Sequence, residues 1–215
     1  MIDSLVTLLI GMSGGHAALA IVLFTVAVRL LLLPLSVRQA RAARITERLA
    51  PKVRALRERF GRNPERLARE MSALYSKEGS SPMAALLPGL AQAPFMWLVY
   101  RVATHPTALA GHDLFGAPLG QQIAGIVTNY GLISWPVSVF ILVIALVMLV
   151  AWLQARRIAA TLPEDQPAYL RRIMPLMPFG SVLAALVLPL AAGLYLLVST
   201  GWTYGERTVL NRRFA

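Results

Sequence analysis

Arg29 is the residue in this chain best placed to do chemistry where chemistry is costly. It is the one charge in an apolar run from Ala17 to Val37, which Arg38 ends. That run is long enough to cross a bilayer as a single helix. An ionisable side chain at membrane depth costs from a few to roughly ten kcal/mol or more, so it normally faces protein or water and serves a task. A guanidinium has five N–H donors and no acceptor, so the task open to it is binding oxygen atoms or anions.

Spacing names the residues that can share a polar environment with it. Thr25 lies one helical turn earlier on the same face and Ser36 two turns later. Gln92 falls in a second apolar stretch, and Tyr195 and Ser199 lie four apart near the end of the chain. Each of these hydroxyls or amides has a simpler role, bonding a backbone carbonyl and aiding packing. For Ser36 and Ser199 that simpler role is the preferred reading. For Arg29 it is not, because no carboxylate lies within any apolar stretch to meet its donors. Water is the expected partner.

The same inventory excludes other chemistries. Without intramembrane acids there is no aspartyl protease and no carboxylate proton relay. His16, His105 and His112 have no Cys or nearby Glu to complete a metal set, and read as ordinary interfacial residues. No serine in a span has a His or Lys base at comparable depth, which a hydrolase would need. The chain has no cysteine, so disulfides and thiol chemistry are absent. No cofactor, no metal and no enzymatic activity are expected.

The elements that must hold Arg29 follow from composition. Of 215 residues, 57% are hydrophobic and 14% charged, and the mean hydropathy is +0.61. That is the composition of a polytopic membrane protein, and no second, soluble domain is left over. The expected fold is all-α, in one domain. An interfacial helix and glycine elbow occupy 1–15, with no basic leader and nothing that calls for cleavage. Five spans follow at 17–37, 83–102, 135–153, 173–188 and 189–204, the last two divided at Leu188-Pro189. Pro88 and Pro94 interrupt the second span, which membrane bundles tolerate. An external loop over 104–134, a cytoplasmic loop over 154–171 and a tail over 205–215 complete the chain.

Charge placement orients it. Of the 21 Lys and Arg, twelve lie between Arg38 and Lys77, four between Gln154 and Arg172 and three after Thr203, while residues 1–15 and the 104–134 loop hold none. Short cytoplasmic loops carry the excess of Lys and Arg, so the N-terminus is expected outside and the C-terminus inside.

The basic stretch over 38–80 is itself patterned. Ile45, Leu49, Val53, Leu56 and Phe60 recur every three or four residues, which is a helical stripe. Gly61 ends it, and Asn63-Pro64-Glu65 supplies a cap, a first-turn proline and an acid at the positive dipole end of a second helix carrying Leu67, Met71 and Leu74. The expectation is an antiparallel helical hairpin on the cytoplasmic side. It is either a solvated charged pair that serves topology, or a surface for RNA, anionic lipid or an acidic protein. With Phe60 and Tyr75 its only aromatics, sequence-specific RNA reading is not expected, although contact with a ribosomal RNA backbone is compatible with its charge.

Leu23-Phe24-Thr25-Val26-Ala27-Val28-Arg29, followed by Pro34-Leu35, resembles the first core helix of the YidC/Oxa/Alb family of membrane protein insertases. Leu49-Ala50-Pro51-Lys52 and Glu70-Met71-Ser72-Ala73-Leu74-Tyr75 are similar to that family's hairpin, with Pro51 opening a basic helix. Ser81-Pro82, Pro88, Gln92, Pro94-Phe95 and Tyr100, then Ile173-Met174-Pro175-Leu176-Met177-Pro178 and Pro189 to Tyr195, fall at the family's intervals. The chain departs from the pattern at Ala84, Ala85, Ala191 and Leu196, and resembles the shorter, Gram-positive form.

The resemblance implies an insertase and chaperone of the bacterial plasma membrane: five helices around a hydrophilic groove holding Arg29, with Thr25, Gln92, Tyr195 and Ser199 as further contacts to substrate. It implies nascent membrane proteins as clients, the lipid bilayer as medium, no nucleotide hydrolysis and no DNA. The ribosome, the signal recognition particle receptor and the Sec translocon are candidate partners of the basic hairpin and tail. A small transporter or channel using Arg29 as an anion site is the alternative, though no internal repeat favours it. An intramembrane enzyme and a purely structural scaffold are weaker readings still.

Overall fold

The computed structural model describes Gly11 and residues 15–79, 111–162 and 168–214. The span expected over 83–102, with Gln92, and nearly all of the interfacial segment over 1–15 lie outside the described residues. Two compact units divide the chain: Met1–Leu30 with Met96–Thr208, and Leu31–Phe95 with Val209–Ala215.

Helix α1, Ala17–Phe60, carries both the first apolar run and the first basic stripe. It does not stop at Val37, and Pro51 lies inside it instead of opening a new helix. The reason is local. Each proline removes one N–H from the ladder, while Arg38 to Ala50 is rich in Ala and Arg, both good helix formers, and holds no glycine. The first break is Gly61, where a Cβ would stand 2.6 Å from the Arg57 carbonyl oxygen, so only glycine lets the chain leave the helix this closely. The Asn63 side chain then accepts from the Arg66 amide at 3.1 Å and starts α2, Pro64–Lys77.

In this second unit the two stripes meet through Leu49, Val53 and Tyr75, all buried, with Ile45, Met71 and Leu74 against them. Phe60 lies outside this cluster. Its ring lies beneath two guanidiniums, Arg59 at 5.3 Å and Arg66 at 5.0 Å.

The first unit is built on α4, Trp135–Thr161, which runs eight residues beyond the span expected to end at Leu153. The described part of the stretch expected as an external loop, 111–134, is structured. Strands β1, Asp113–Leu114, and β2, Ala117–Pro118, pair antiparallel with Asp113 opposite Pro118 and Leu114 opposite Ala117, and helix α3 follows at Ile123–Tyr130. Among the described residues the regular structure is therefore helical apart from this hairpin. Both of its turn residues have positive φ, 49° at Phe115 and 83° at Gly116, as primed two-residue turns require. The Asp113 carboxylate accepts from the Gly116 amide at 2.6 Å, and the Trp135 indole donates to the Phe115 carbonyl at 2.7 Å.

The span expected over 173–188 begins earlier, with α5, Ala168–Ile173, then a 3₁₀ stretch, Met174–Phe179, and α6, Gly180–Val187. Pro175 and Pro178 withhold amide donors there, which favours the tighter turn. Leu188-Pro189 divides it from α7, Leu190–Phe214, which continues ten residues past the expected end at Tyr204.

The cap over 113–130 fixes the start of α7. The Leu119 carbonyl accepts from the Ala191 amide at 2.9 Å and the Gln121 carbonyl from the Leu190 amide at 3.0 Å, which satisfies donors that a helix N-terminus leaves open. Below these bonds, Ala17, Ala20, Leu119, Ile126, Phe140, Val143 and Leu190 form one buried cluster, and Val147, Ala151, Val182 and Ala185 a second. Gly193 lets α7 approach α4, since its Cβ would touch Val143 at 3.5 Å.

Among the described residues three stretches are long and apolar enough to cross a membrane: Ala17–Thr46, Trp135–Thr161 and Ala168–Val187. Leu23, Leu31, Leu142, Leu149 and Leu183 stand exposed on them, a surface suited to lipid and not to water. Helix α7 is not among the three, because from Ser199 onward it holds Thr200, Gly201, Thr203, Tyr204 and Glu206.

Two outcomes test these assignments. Phe115→Asn should stabilise the cap by about 1 kcal/mol by relieving a left-handed backbone at a bulky residue, read as a higher unfolding midpoint in detergent. Leu49→Ala should cost about 2–5 kcal/mol within the second unit, read as faster amide exchange along α2 with exchange in α4 unchanged.

Candidate functional site

Thr25 is buried, and its hydroxyl donates to the Ile21 carbonyl at 2.6 Å, the simple backbone role that its spacing also allowed. One turn further along α1, Arg29 is half-buried. Its Nη2 donates to the Ser199 carbonyl at 3.1 Å and also to the Ser199 hydroxyl. Ser199 is 4% exposed, and Tyr195, one turn before it on α7, is also buried. Thus α1 and α7 bring Arg29 and Ser199 together across 170 residues of sequence, although the sequence favoured a backbone role for Ser199 and water for Arg29.

The contact has a definite electrostatic character. Both hydrogen-bond acceptors are neutral, so these bonds hold the guanidinium without cancelling its charge, and Glu206 on α7 is the acid that acts on it through space. Among the described residues its Nε and Nη1 donors have no acceptor, which leaves part of the fork open. The Ser199 carbonyl also accepts from the Thr203 hydroxyl at 2.9 Å. Nothing among these residues supplies a nucleophile with a base, and no group of three or more His, Asp or Glu able to hold a metal occurs among the described residues. The arrangement can bind and orient an anionic or polar group.

Two further side chains fix α7 and were not singled out in the sequence. Gln154 donates to the Thr200 carbonyl at 3.0 Å. Three residues on, Arg157 donates to the Thr208 hydroxyl at 2.6 Å and to the Arg207 carbonyl at 3.2 Å, with its guanidinium 5.9 Å from the Tyr204 ring. Reading 154–171 as a loop hid them. The available signal was their i, i+3 spacing in a segment without glycine, which continues the helix and puts both on one face. Ser36 lies on α1 in the other unit and Gln92 outside the described residues, so neither is placed with Arg29.

The family profile described as 60Kd inner membrane protein matches residues 9–215, nearly the whole chain and every site residue named above. The chain belongs to the 60Kd inner membrane protein family. Its relatives include three bacterial proteins described as membrane protein insertase YidC. The Streptomyces avermitilis protein is 27% identical over 223 residues, 93% of this chain and 52% of the relative. The Alkalihalophilus pseudofirmus protein is 30% identical over 192 residues, 86% of this chain and 69% of the relative. The Clostridium perfringens protein is 36% identical over 101 residues, 47% of this chain and 42% of the relative. Against several such relatives the chain spans about half of their length. Family membership and the three apolar stretches together identify a bacterial inner membrane protein.

Ser199→Ala keeps the carbonyl acceptor of this family member and removes the hydroxyl. It should cost about 1 kcal/mol, measured by thermal unfolding in detergent, with no change in the helical content of the folded state.

Proposed function

We propose that the protein is a membrane protein insertase and chaperone, in which Arg29, Thr25, Gln92, Tyr195 and Ser199 line a hydrophilic groove within a bundle of five spans. The observation that carries this reading is the half-buried Arg29 bonded only to neutral acceptors among the described residues, on a helix whose span has no acid. Family membership and the names of its relatives support it.

The physical logic is a shortened crossing. A client's acidic or polar leading segment enters the groove toward the positive charge, so only part of the hydrocarbon remains to be traversed. Transfer of the client's own apolar helix into lipid then drives insertion, at about 0.8 kcal/mol for each buried CH₂. No nucleotide is hydrolysed and no covalent chemistry occurs. In this reading the N-terminus lies outside, and the basic helix pair and the tail face the cytoplasm, where a ribosome, the signal recognition particle receptor or a Sec translocon can dock. Nascent membrane proteins are the clients.

Reconstitution in liposomes tests it. Arg29→Ala should lower insertion of clients with acidic translocated segments several-fold, scored by protease protection, whereas Arg29→Lys should retain most of it. Undiminished insertion by Arg29→Ala removes the electrostatic role. Ion flux through the same vesicles without insertion would instead favour a transporter.

A further inference from the structure

At the junction of α4 and α5 lies a cleft of about 370 Å³ lined by Ala159, Leu162, Ala168, Arg171 and Arg172. This volume is within the usual range of small-molecule sites. The four cations of the surrounding segment are all arginines, and they divide into two pairs. Arg156 lies over the Trp152 ring at 4.7 Å and Arg157 is bonded to α7, so both have structural work. Arg171 and Arg172 are exposed at the cleft and, among the described residues, have no hydrogen bond or ion pair. The acids of the connecting segment, Glu164 and Asp165, lie outside the described residues.

Position narrows the ligand. The cleft lies where the apolar stretches Trp135–Thr161 and Ala168–Val187 end and begin, which is headgroup depth in a bilayer. Half-exposed Trp152 and exposed Tyr169 mark the same level, where aromatic rings gather. From the cleft, Tyr169, Ile173, Leu176 and Met177 continue into the span with 62%, 54%, 62% and 69% of their surfaces exposed. Adjacent guanidinium forks suit the oxygens of a phosphodiester, and the apolar strip beside them suits an acyl chain. A free phosphate would use the first feature only.

The geometry points to a binding site for the headgroup of an anionic phospholipid in this cleft, with Arg171 and Arg172 on its phosphate and an acyl chain along Ile173, Leu176 and Met177. The site is independent of the proposed insertase function, because it requires only that α4 and α5 meet the membrane surface. It gives the segment from Ala168 to Met177 a lipid to seat against, where prolines weaken its own ladder.

The full chain in neutral detergent, titrated with phosphatidylglycerol or phosphatidylcholine and read by native mass spectrometry, tests this. The unmodified protein should retain phosphatidylglycerol in preference, and Arg171→Gln/Arg172→Gln should reduce that preference by about tenfold, the scale of one charge-assisted contact. Arg62→Gln/Arg66→Gln, which removes two cations elsewhere, should leave it unchanged. Arg171→Lys/Arg172→Lys keeps charge but not the forks, and should lie between; it also covers the case in which the glutamine pair does not fold. Equal retention by the Arg171 and Arg172 variants, or an equal loss in the Arg62 and Arg66 control, overturns the site. Displacement of the lipid by soluble glycerol phosphate at comparable concentration would make it a phosphoester site and not a lipid site. Loss of ribosome co-sedimentation with lipid preference intact would assign the arginines to RNA.

Discussion

Arg29 is held by a peptide carbonyl and a hydroxyl, and that choice of partners constrains much of the first unit. A carboxylate would have bound the guanidinium more strongly but would have cancelled its charge. A carbonyl and a hydroxyl hold the side chain and leave its field intact. They are also directional, so Ser199 must arrive at Arg29 with the correct rotation and height of α7. A helix that met α1 one residue out of register would turn the Ser199 hydroxyl by about 100° and lose the bond.

The rest of the first unit supplies that register at both ends of α7. At its start the carbonyls of Leu119 and Gln121 receive its first amides, and Gly193 lets it seat against Val143. Near its middle Gln154 holds the Thr200 carbonyl, and eight residues further along Arg157 holds Thr208. Between these anchors the helix carries more polarity than a lipid-facing span tolerates. The hydroxyls of Thr200, Thr203 and Thr208 each bond the carbonyl four residues back, so they enter the bundle already satisfied. Two hydroxyls of α7 also accept across helices, that of Thr208 from Arg157 and that of Ser199 from Arg29.

What could be read in the sequence follows from what is local. The apolar runs beginning at Ala17, Trp135 and Ile173, the break at Leu188-Pro189, the Asn63-Pro64 start of α2 and the stripe around Leu49 and Val53 are short-range patterns, and each has its counterpart among the described residues. Arg29 stood out for the same reason, as a charge among apolar neighbours. Its contact with Ser199 did not, because a pairing across 170 residues leaves no trace in either neighbourhood. Helix ends were misjudged where charge was taken as a boundary: α1, α4 and α7 all continue through arginines, which are good helix formers and limit only the lipid-facing part of a helix. The cap was missed because its two-residue strands and eight-residue helix are too short for periodicity to declare, and because Phe115 occupies a turn position where Asn would have been a signal.

The arginines also show why one residue type serves several ends here. Arg29 meets neutral oxygens, Arg156 an aromatic face, and Arg157 a hydroxyl, a carbonyl and a ring; none of these partners is an acid. With 21 basic against 10 acidic side chains, pairing every cation was never available to this chain. Lysine could not replace Arg156 or Arg157, since a compact ammonium lacks both the planar face for Trp152 and the fork that spans Thr208 and Arg207. An excess of guanidiniums secured by neutral partners gives a bundle that is rigid where they bind and positive where they are open. Under the insertase reading proposed above, a guanidinium hydrogen-bonded to neutral partners is the more useful arrangement, because a carboxylate bonded to its fork would compete with every incoming acidic segment.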